Sequence, residues 1–444
     1  MTANPDYPFV IIGNGAAGMA AVDGIRRHNR SDPILIISQE AHKFYSKPGL
    51  AYWLTGQIPE KQLYPPSPVD DKQLGIERLQ KKVINIDPGE KTLQLQDGTI
   101  LRYHKLLIAA GAKAVRPQIE GIDLEGVVTL DNLEDTRKIL KLARRAKRAV
   151  VVGGGITALE LAEGLVARRV ETHYLLRKDR YWGNVLDEHE SCLVEERLKE
   201  EGVRLHYRAE LVKIHSKKNR VAGVTLSTGQ ELPCDIVAVA IGIRPQLALT
   251  EGTAIDIERG ILVDETFKTS VEGIYAAGDV AQVWDPQAQK SVLDSLWWVA
   301  REQGRLAGIN MAGVHEPYQR KVPFNVTRIG NITTTLIGCI GQPEKDEDLV
   351  AIARGDSETW RSSGDAFAVK KDAENNRIRL LIGNSTIEGA LVMGDQTLSR
   401  PLQHLIAERI DITPIRETLM DNPDDLAEVI QNYWSSRERT YHAG

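Results

Sequence analysis

The chain is poor in cysteine. Among its 444 residues only Cys192, Cys234 and Cys339 carry thiols. None belongs to a CxxC pair, and no Cys/His cluster has the spacing of a zinc site. That excludes a disulfide framework and a dithiol redox centre made by neighbours in sequence. Long hydrophobic runs are also missing, for no apolar stretch approaches the roughly 20 residues that a bilayer-spanning helix needs. The start, "MTANPDYPFV", has no basic segment leading into an apolar one, so a secretory signal is not expected. Charge of one sign is not in excess either. A net charge of −5 gives no whole-chain attraction to nucleic acid or to an anionic membrane. The expectation is a soluble, cytoplasmic globular chain with no transmembrane segment and no nucleic-acid partner. At roughly 150 residues per domain it holds two to four domains.

Glycine, in contrast, is concentrated in two places. "FVIIGNGAAG" (9–18) and "VVVGGGITALE" (150–160) each join a short apolar strand to a helix through a GxGxx(G/A) turn. In such a turn the first glycine allows the tight exit from the strand, and the second lets the backbone approach a pyrophosphate. The third position allows helix and strand to pack closely. The phosphates then face the unpaired N–H groups of a helix N-terminus. Gly13, Gly15 and Gly18 fill these places in the first copy, with Ala16 and Ala17 between. Glu40, 22 residues after Gly18, stands where an acid receives a ribose hydroxyl. The second copy has Gly153, Gly155, Ile156 and Thr157, with Ala158 third. After its next strand, "THYLL", come Arg177, Lys178 and, two further on, Arg180. An acid there repels a 2′-phosphate whereas a guanidinium pairs with it, so NADP is favoured over NAD. Two dinucleotide sites in one chain suggest an electron relay, a resident flavin in one copy and a visiting nicotinamide in the other.

The order of elements repeats as well. "PILIIS" (33–38) completes the first βαβ unit, and "LQLQDGTILRYHKLLIAAGA" reads as a hairpin turning at Asp-Gly, then a buried strand. Residues 116–130, with Pro117, Gly121 and Gly126, read as a linker. A basic helix is expected over 135–148, then a second βαβ unit, then a hairpin over 221–242. The last 120 residues read as short strands followed by helices at 397–409 and 423–435. The fold class is therefore α/β, with two Rossmann-like dinucleotide-binding domains plus a C-terminal α+β interface domain. The expected boundaries are 1–116 with 243–320, 117–242, and 321–444.

Further motifs make the chain resemble the flavoproteins with two dinucleotide-binding domains. That family includes glutathione reductase, NADH oxidases, rubredoxin and ferredoxin reductases, and the reductase portion of nitrite reductase. "LLIAAGA" (106–112) is similar to its ATG segment, with Ala110 in the Thr position. "AIGIRP" (240–245) resembles its GxxP junction, and "TSVEGIYAAGDVA" (269–281) its second FAD motif. The resemblance implies FAD and NADP (or NAD) as cofactors. To FAD it assigns Lys47, Pro48, Val83, Ala109, Ala110, Gly111, Gly278, Asp279 on the ribityl chain, and Trp297 at a helix end facing the flavin. Gly242 falls to the nicotinamide side.

"KFYSKPGLAYWLTG" (43–56) separates the branches of that family. Redox members of the disulfide type carry a cysteine there, and this chain has none, with Ser46 near the place. A hydroxyl cannot shuttle electrons as a thiolate does. Lys47 stands for the arginine of a YxRPxLSK pattern, and Tyr52 for the lysine near flavin N5, which leaves Glu160, the one candidate catalytic residue, without its usual partner. The implied activity is hydride transfer from NADPH or NADH to flavin N5, then electron transfer to an iron–sulfur protein or partner subunit. An NAD(P)H oxidase, a quinone reductase and a flavin-based redox-sensing interaction protein are the alternatives, and a homodimer is left open. The basic stretch 136–148, with seven Lys or Arg in 13 residues, could steer an acidic carrier or simply be solvated. His404 and Glu408 read as a surface pair, Cys192 and Cys234 as core residues.

Overall fold

The computed structural model describes residues 5–65, 71–285, 289–341, 366–373 and 376–441. The first sheet starts from β1 (Asp6–Ile12), whose Phe9–Ile12 run is buried on both faces, as a central parallel strand requires. α1 (Ala16–His28) returns the chain to β2 (Ile34–Ser38), and α2 (Gly49–Thr55) precedes β3 (Ile76–Gln80). A meander of β4 (Val83–Asp87), β5 (Thr92–Leu95) and β6 (Ile100–Ile108) follows. β2 and β6 flank β1 in parallel, and β3 lies beyond β2. The order therefore reverses beside β1, which opens a crevice at the carboxyl ends of β1 and β6.

β7 (Ala112–Ala114) leads out of this unit. β8 (Val127–Val128), α3 (Leu133–Ala143), β9 (Arg148–Val152), α4 (Ile156–Ala167), β10 (Glu171–Leu176), α5 (Glu188–Glu200) and β11 (Val203–Tyr207) form the second. β12 (Leu211–Lys217), β13 (Arg220–Leu226) and β14 (Glu231–Leu232) make a separate antiparallel sheet before β15 (Ile236–Val239) rejoins the main one. The second sheet has the order β11-β10-β9-β15-β8, all parallel, with its reversal beside β9.

β16 (Ile243–Pro245) pairs antiparallel with β7, so the outgoing and returning chains cross side by side. β17 (Ile261–Val263), β18 (Ile274–Ala276), β19 (Ala281–Asp285) and β20 (Lys290–Val292) come next, and β18 adds to the first sheet beside β6. α6 (Trp297–Met311) then lies against α1 at backbone distance. A Cβ on Gly304 would sit 2.1 Å from the Ala17 carbonyl oxygen, and one on Gly308 2.1 Å from that of Ala21.

The C-terminal sheet is antiparallel, in the order β21 (Phe324–Ile329), β22 (Ile332–Gly338), β25 (Ile387–Met393), β24 (Asn376–Ile382), β23 (Phe367–Ala373). One face packs on α7 (Ser399–Ala407), α8 (Thr413–Asp421) and α9 (Leu426–Tyr441). The other packs on the second unit, where Leu336, Leu391 and Met393 share a core with Tyr181, Trp182 and Val185.

Several expected elements differ. The 135–148 helix spans Leu133–Ala143 instead, because β9 must begin at Arg148 opposite Glu171 and the reversal takes up residues 144–147. The 116–130 linker contributes a strand, since Val127 and Val128 are buried against β15. β12 was not expected. Its turn into β13 is Lys218-Asn219, both left-handed (φ 52° and 61°), without the glycine that usually marks such a turn. α8 was missed because Pro414 reads as a break, yet it lies in the first helical turn where no N–H is needed.

Candidate functional site

At the first crevice α1 begins with Gly15 as its N-cap, and no side chain caps it. Gly13 has φ 116° and is pressed so closely to β6 that a Cβ would meet the Ala109 oxygen at 2.1 Å. On Gly18 a Cβ would meet the Gly13 oxygen at 2.1 Å. Gly15 is different. Its backbone is extended, a Cβ would find nothing within 4 Å, and the packing of the chain itself does not call for glycine. A phosphate drawn to the free N–H groups of α1 does call for it, so the residues fit a dinucleotide.

The other predicted residues of the first unit lie on several elements. Glu40 receives a hydrogen bond from the Tyr45 hydroxyl (2.8 Å), which in turn accepts one from the Leu133 N–H at the start of α3 (3.1 Å). Sequence reasoning missed this link, which ties the expected ribose acid of the first unit to the second. It also missed Gln303, whose buried carbonyl oxygen accepts the Gly278 N–H (2.9 Å) and so orients the Gly278–Asp279 turn. Gly278 itself is left-handed (φ 79°), and Ser295 donates to Asp279 (3.3 Å). Asn14, inside the glycine turn, donates to the His42 carbonyl and accepts from Arg78. Ala109, Ala110 and Gly111 follow β6, and the Gly111 carbonyl accepts the Gln246 N–H (3.0 Å). Val83 buries its side chain in the first core. Pro48 caps α2, with Lys47 just before it.

The second crevice repeats the geometry. Gly155 is the uncapped N-cap of α4, ahead of Ile156 and Thr157. Gly153 has φ 145° and leaves no room for a Cβ, the Ala240 oxygen being 2.1 Å away. Ala158 is fully buried beside Gly153, which explains a small residue in the third place. Gly242, at φ 118°, accepts the Val115 N–H where the two crossing strands meet. At the end of β10, Leu176 is buried and Arg177 exposed. Lys178 and Arg180 are half-buried, and Arg180 donates to the Gly183 carbonyl (3.1 Å).

α2 and α4 bring the two crevices together. Leu54 packs where a Gly164 side chain would be, and Arg168 donates to the Trp53 and Leu54 carbonyls. Between the helices lies a groove lined by Tyr52, Thr55, Gln57, Glu160, Glu163 and Arg328. Tyr52, which stands in the place of a lysine, is 38% exposed. Glu163 lies one turn beyond Glu160, and its Oε1 has no hydrogen-bond partner. Burial first, then the Glu201 carboxylate, push its carboxyl up to about 7, against Arg328 and the Asn331 and Gly330 N–H groups, which lower it. Ionisation is thus disfavoured in the folded chain. The stability from this group is complete below an unfolded carboxyl's value of 4.5 and is lost as pH rises through about 7. Glu163→Gln removes that loss. In urea denaturation the variant should gain up to about 3 kcal/mol over wild type at pH 8 and under about 1 kcal/mol at pH 5. A gap that does not widen with pH contradicts this assignment.

The thiols are not poised for redox work. Cys192, expected in the core, is exposed on α5, because Val194, Glu195 and Leu198 take the inward face. Burial and Glu196 still raise its thiol, and burial raises Cys339 and pushes Cys234 up to about 12. His404 and Glu408 share only a backbone hydrogen bond, and the His404 ring is half-buried. Trp298 donates to the Phe324 carbonyl and stacks on its ring, fastening α6 to β21. Trp297 lies under the Arg301 guanidinium, 5.0 Å from its ring centre. The cations Lys141, Arg144, Arg145 and Lys147 are exposed at the amino ends of the second sheet's strands, the side away from the glycine turns. Among the described residues no helix is long and apolar enough to cross a membrane, and no cluster of His, Cys, Asp or Glu could hold a metal ion.

Comparison with known proteins agrees with this architecture. A family model described as pyridine nucleotide-disulphide oxidoreductase matches residues 7–304. The NADH-dependent phenylglyoxylate dehydrogenase subunit epsilon of Aromatoleum evansii is 26% identical over 96% of this chain and 98% of its own. The rubredoxin-NAD(+) reductase of Pseudomonas putida is 32% identical over 62% of this chain and 71% of its own. Among solved structures, a ferredoxin reductase from Rhodopseudomonas palustris superposes with a TM-score of 0.82 at 23% identity, over 96% of this chain and all of that one. With both crevices present and the match running through both, the chain is a member of the pyridine nucleotide-disulphide oxidoreductase family, an FAD-dependent oxidoreductase that uses NAD(P)H.

Proposed function

We propose that this chain takes a hydride from NADPH at its FAD and delivers the electrons to an iron–sulfur protein or partner subunit, with no thiol between. The observation that carries this reading is the pair of uncapped helix ends, α1 and α4, in a chain whose three cysteines all lie far in sequence from the segment 43–56. When bound, FAD supplies a centre that accepts two electrons as hydride and releases them singly or in pairs. This chain's residues do the positioning. The α1 N–H groups and Gly13–Gly18 would hold the pyrophosphate, Glu40 the ribose, and Asp279, braced through Ser295, the ribityl chain. The start of α6 at Trp297, which no side chain caps, would offer a positive helix end to the ring. Glu160, with Tyr52 beside it in place of a lysine, orients the nicotinamide, and Arg177 favours a 2′-phosphate.

The names of the relatives support an iron–sulfur acceptor, since one is a reductase of rubredoxin. A relative matched along nearly all of the chain is a subunit of a dehydrogenase. Their names carry NADH or NAD(+), so NADPH preference is the part of the proposal that rests on residues 176–180 alone. The acceptor is tested by reducing the protein under anaerobic conditions and mixing it with ferredoxin, with a quinone, or with dioxygen in a stopped-flow instrument. Reoxidation by the iron–sulfur carrier should be faster by on the order of tenfold or more, the gain that complementary docking brings to an encounter between two proteins. Equal or faster reoxidation by quinone or dioxygen overturns the acceptor.

A further inference from the structure

Two residues outside the fingerprint complete the carboxyl end of the second sheet. β10 and β11 run parallel, with Leu176 opposite Tyr207, so residues 177 and 208 leave the sheet side by side. The turn after β11 is left-handed at Arg208 (φ 50°), a conformation that glycine or asparagine adopts more easily than arginine. It is held there by two backbone hydrogen bonds, from the Arg208 N–H to the Lys178 carbonyl (3.0 Å) and from the Ala209 N–H to that of Leu176 (3.1 Å). The Arg208 side chain is 79% exposed, and its Nη2 stands 4.0 Å from Asp179 Oδ2. The other side of Asp179 faces Arg180, with Nη1 of that residue 3.7 Å from Oδ1. Arg180 is turned back to the Gly183 carbonyl and Lys178 is half-buried. Thus Arg177 and Arg208 are the guanidinium groups that stand in solvent where the ribose of a dinucleotide meets the second strand.

We propose that Arg208, from the neighbouring strand, is the second arm of a 2′-phosphate clamp with Arg177, and that Asp179 competes for it. This rests on the NADPH reading. A phosphate carries more charge and more acceptor oxygens than a carboxylate, so it displaces Asp179 from Arg208 and gains two guanidinium partners approaching from different strands. A nucleotide without the 2′-phosphate leaves the Arg208–Asp179 pair in place. Asp179 is therefore a specificity-setting residue, since its charge repels the phosphate that Arg208 attracts.

The test is calorimetric binding of 2′,5′-ADP and of 5′-AMP to the FAD-loaded protein at low salt. Arg208→Gln should weaken 2′,5′-ADP by on the order of tenfold or more, the loss of a charge-assisted hydrogen bond, and change 5′-AMP by less than about twofold, since that ligand makes no such bond. Asp179→Asn should tighten 2′,5′-ADP and leave 5′-AMP alone. If Arg177→Glu weakens 2′,5′-ADP while Arg208→Gln does not, the clamp is overturned and the NADPH reading stands. If wild-type protein binds both nucleotides equally and Arg177→Glu changes neither, the NADPH reading falls and the clamp with it. Both arginines are exposed, and circular dichroism checks that each variant keeps its fold.

Discussion

Glu190→Ala should destabilise the chain by about 3–5 kcal/mol, the cost of leaving buried charge unpaired. Glu190 is fully buried at the start of α5, where it closes a capping box with Asp187. Its Oε1 accepts from Arg379 Nε at 2.8 Å and from Arg377 Nε at 3.3 Å. Arg379 is itself 1% exposed and donates its remaining arms to the Ile340 and Val185 carbonyls. Asp187 receives Arg377 at 2.5 Å and Lys370 at 2.8 Å. Burial raises its carboxyl, but Lys370, the Glu190 N–H and Arg377 outweigh that and hold it at about 2. The two arginines are alternate residues of β24, so they share one face of the C-terminal sheet. Removal of Glu190 leaves the buried Arg379 with no carboxylate, only the Ile340 and Val185 carbonyls, while Arg377 keeps Asp187. Denaturant unfolding followed by far-ultraviolet circular dichroism measures the loss. A loss under about 1 kcal/mol, the value of a surface pair, would show that the network does not hold the two units together.

Gly304→Val should abolish FAD retention and cost at least about 3 kcal/mol, the upper range for overpacking. The obstacle is backbone, which cannot swing aside. The new Cβ would be 2.1 Å from the Ala17 oxygen and 2.6 Å from its Cα, two residues after Gly15. α6 would have to lift from α1, carrying with it Gln303, which holds the Gly278 N–H, and Trp297. Gly154→Ala is the control, since its Cβ meets nothing within 4 Å. The purified variants are compared by flavin absorbance per chain and by thermal unfolding. A yellow, stable Gly304→Val protein would mean that the contact between α1 and α6 does not position the site.

Much of this was readable in the residues. The two glycine turns, the Asp-Gly hairpin and the parallel strands each leave a local signature, because a φ above 90° at Gly13 and Gly153 or a two-sided burial at Phe9–Ile12 demands particular residue types. What stayed hidden depends on partners distant in sequence. Tyr45 looks like any buried aromatic until α3 arrives to share its hydroxyl. Gln303 looks like a polar residue in a helix until β18 delivers Gly278. Arg377 and Arg379 alternate with Ile378 and Leu380 along β24, and their burial becomes clear only when α5 supplies the two acids. Arg208 follows a strand that carries no fingerprint, so nothing short-range ties it to Arg177.

Anaerobic titration of the purified protein with NADPH, followed at the flavin absorption band, is the most direct test of an FAD held by the first unit and reduced from the second. About one FAD per chain should be present, and the band should bleach with one equivalent of NADPH, because a hydride carries the two electrons that a flavin accepts. A protein that binds no FAD, or whose band is unchanged by NADPH and NADH alike, contradicts the account.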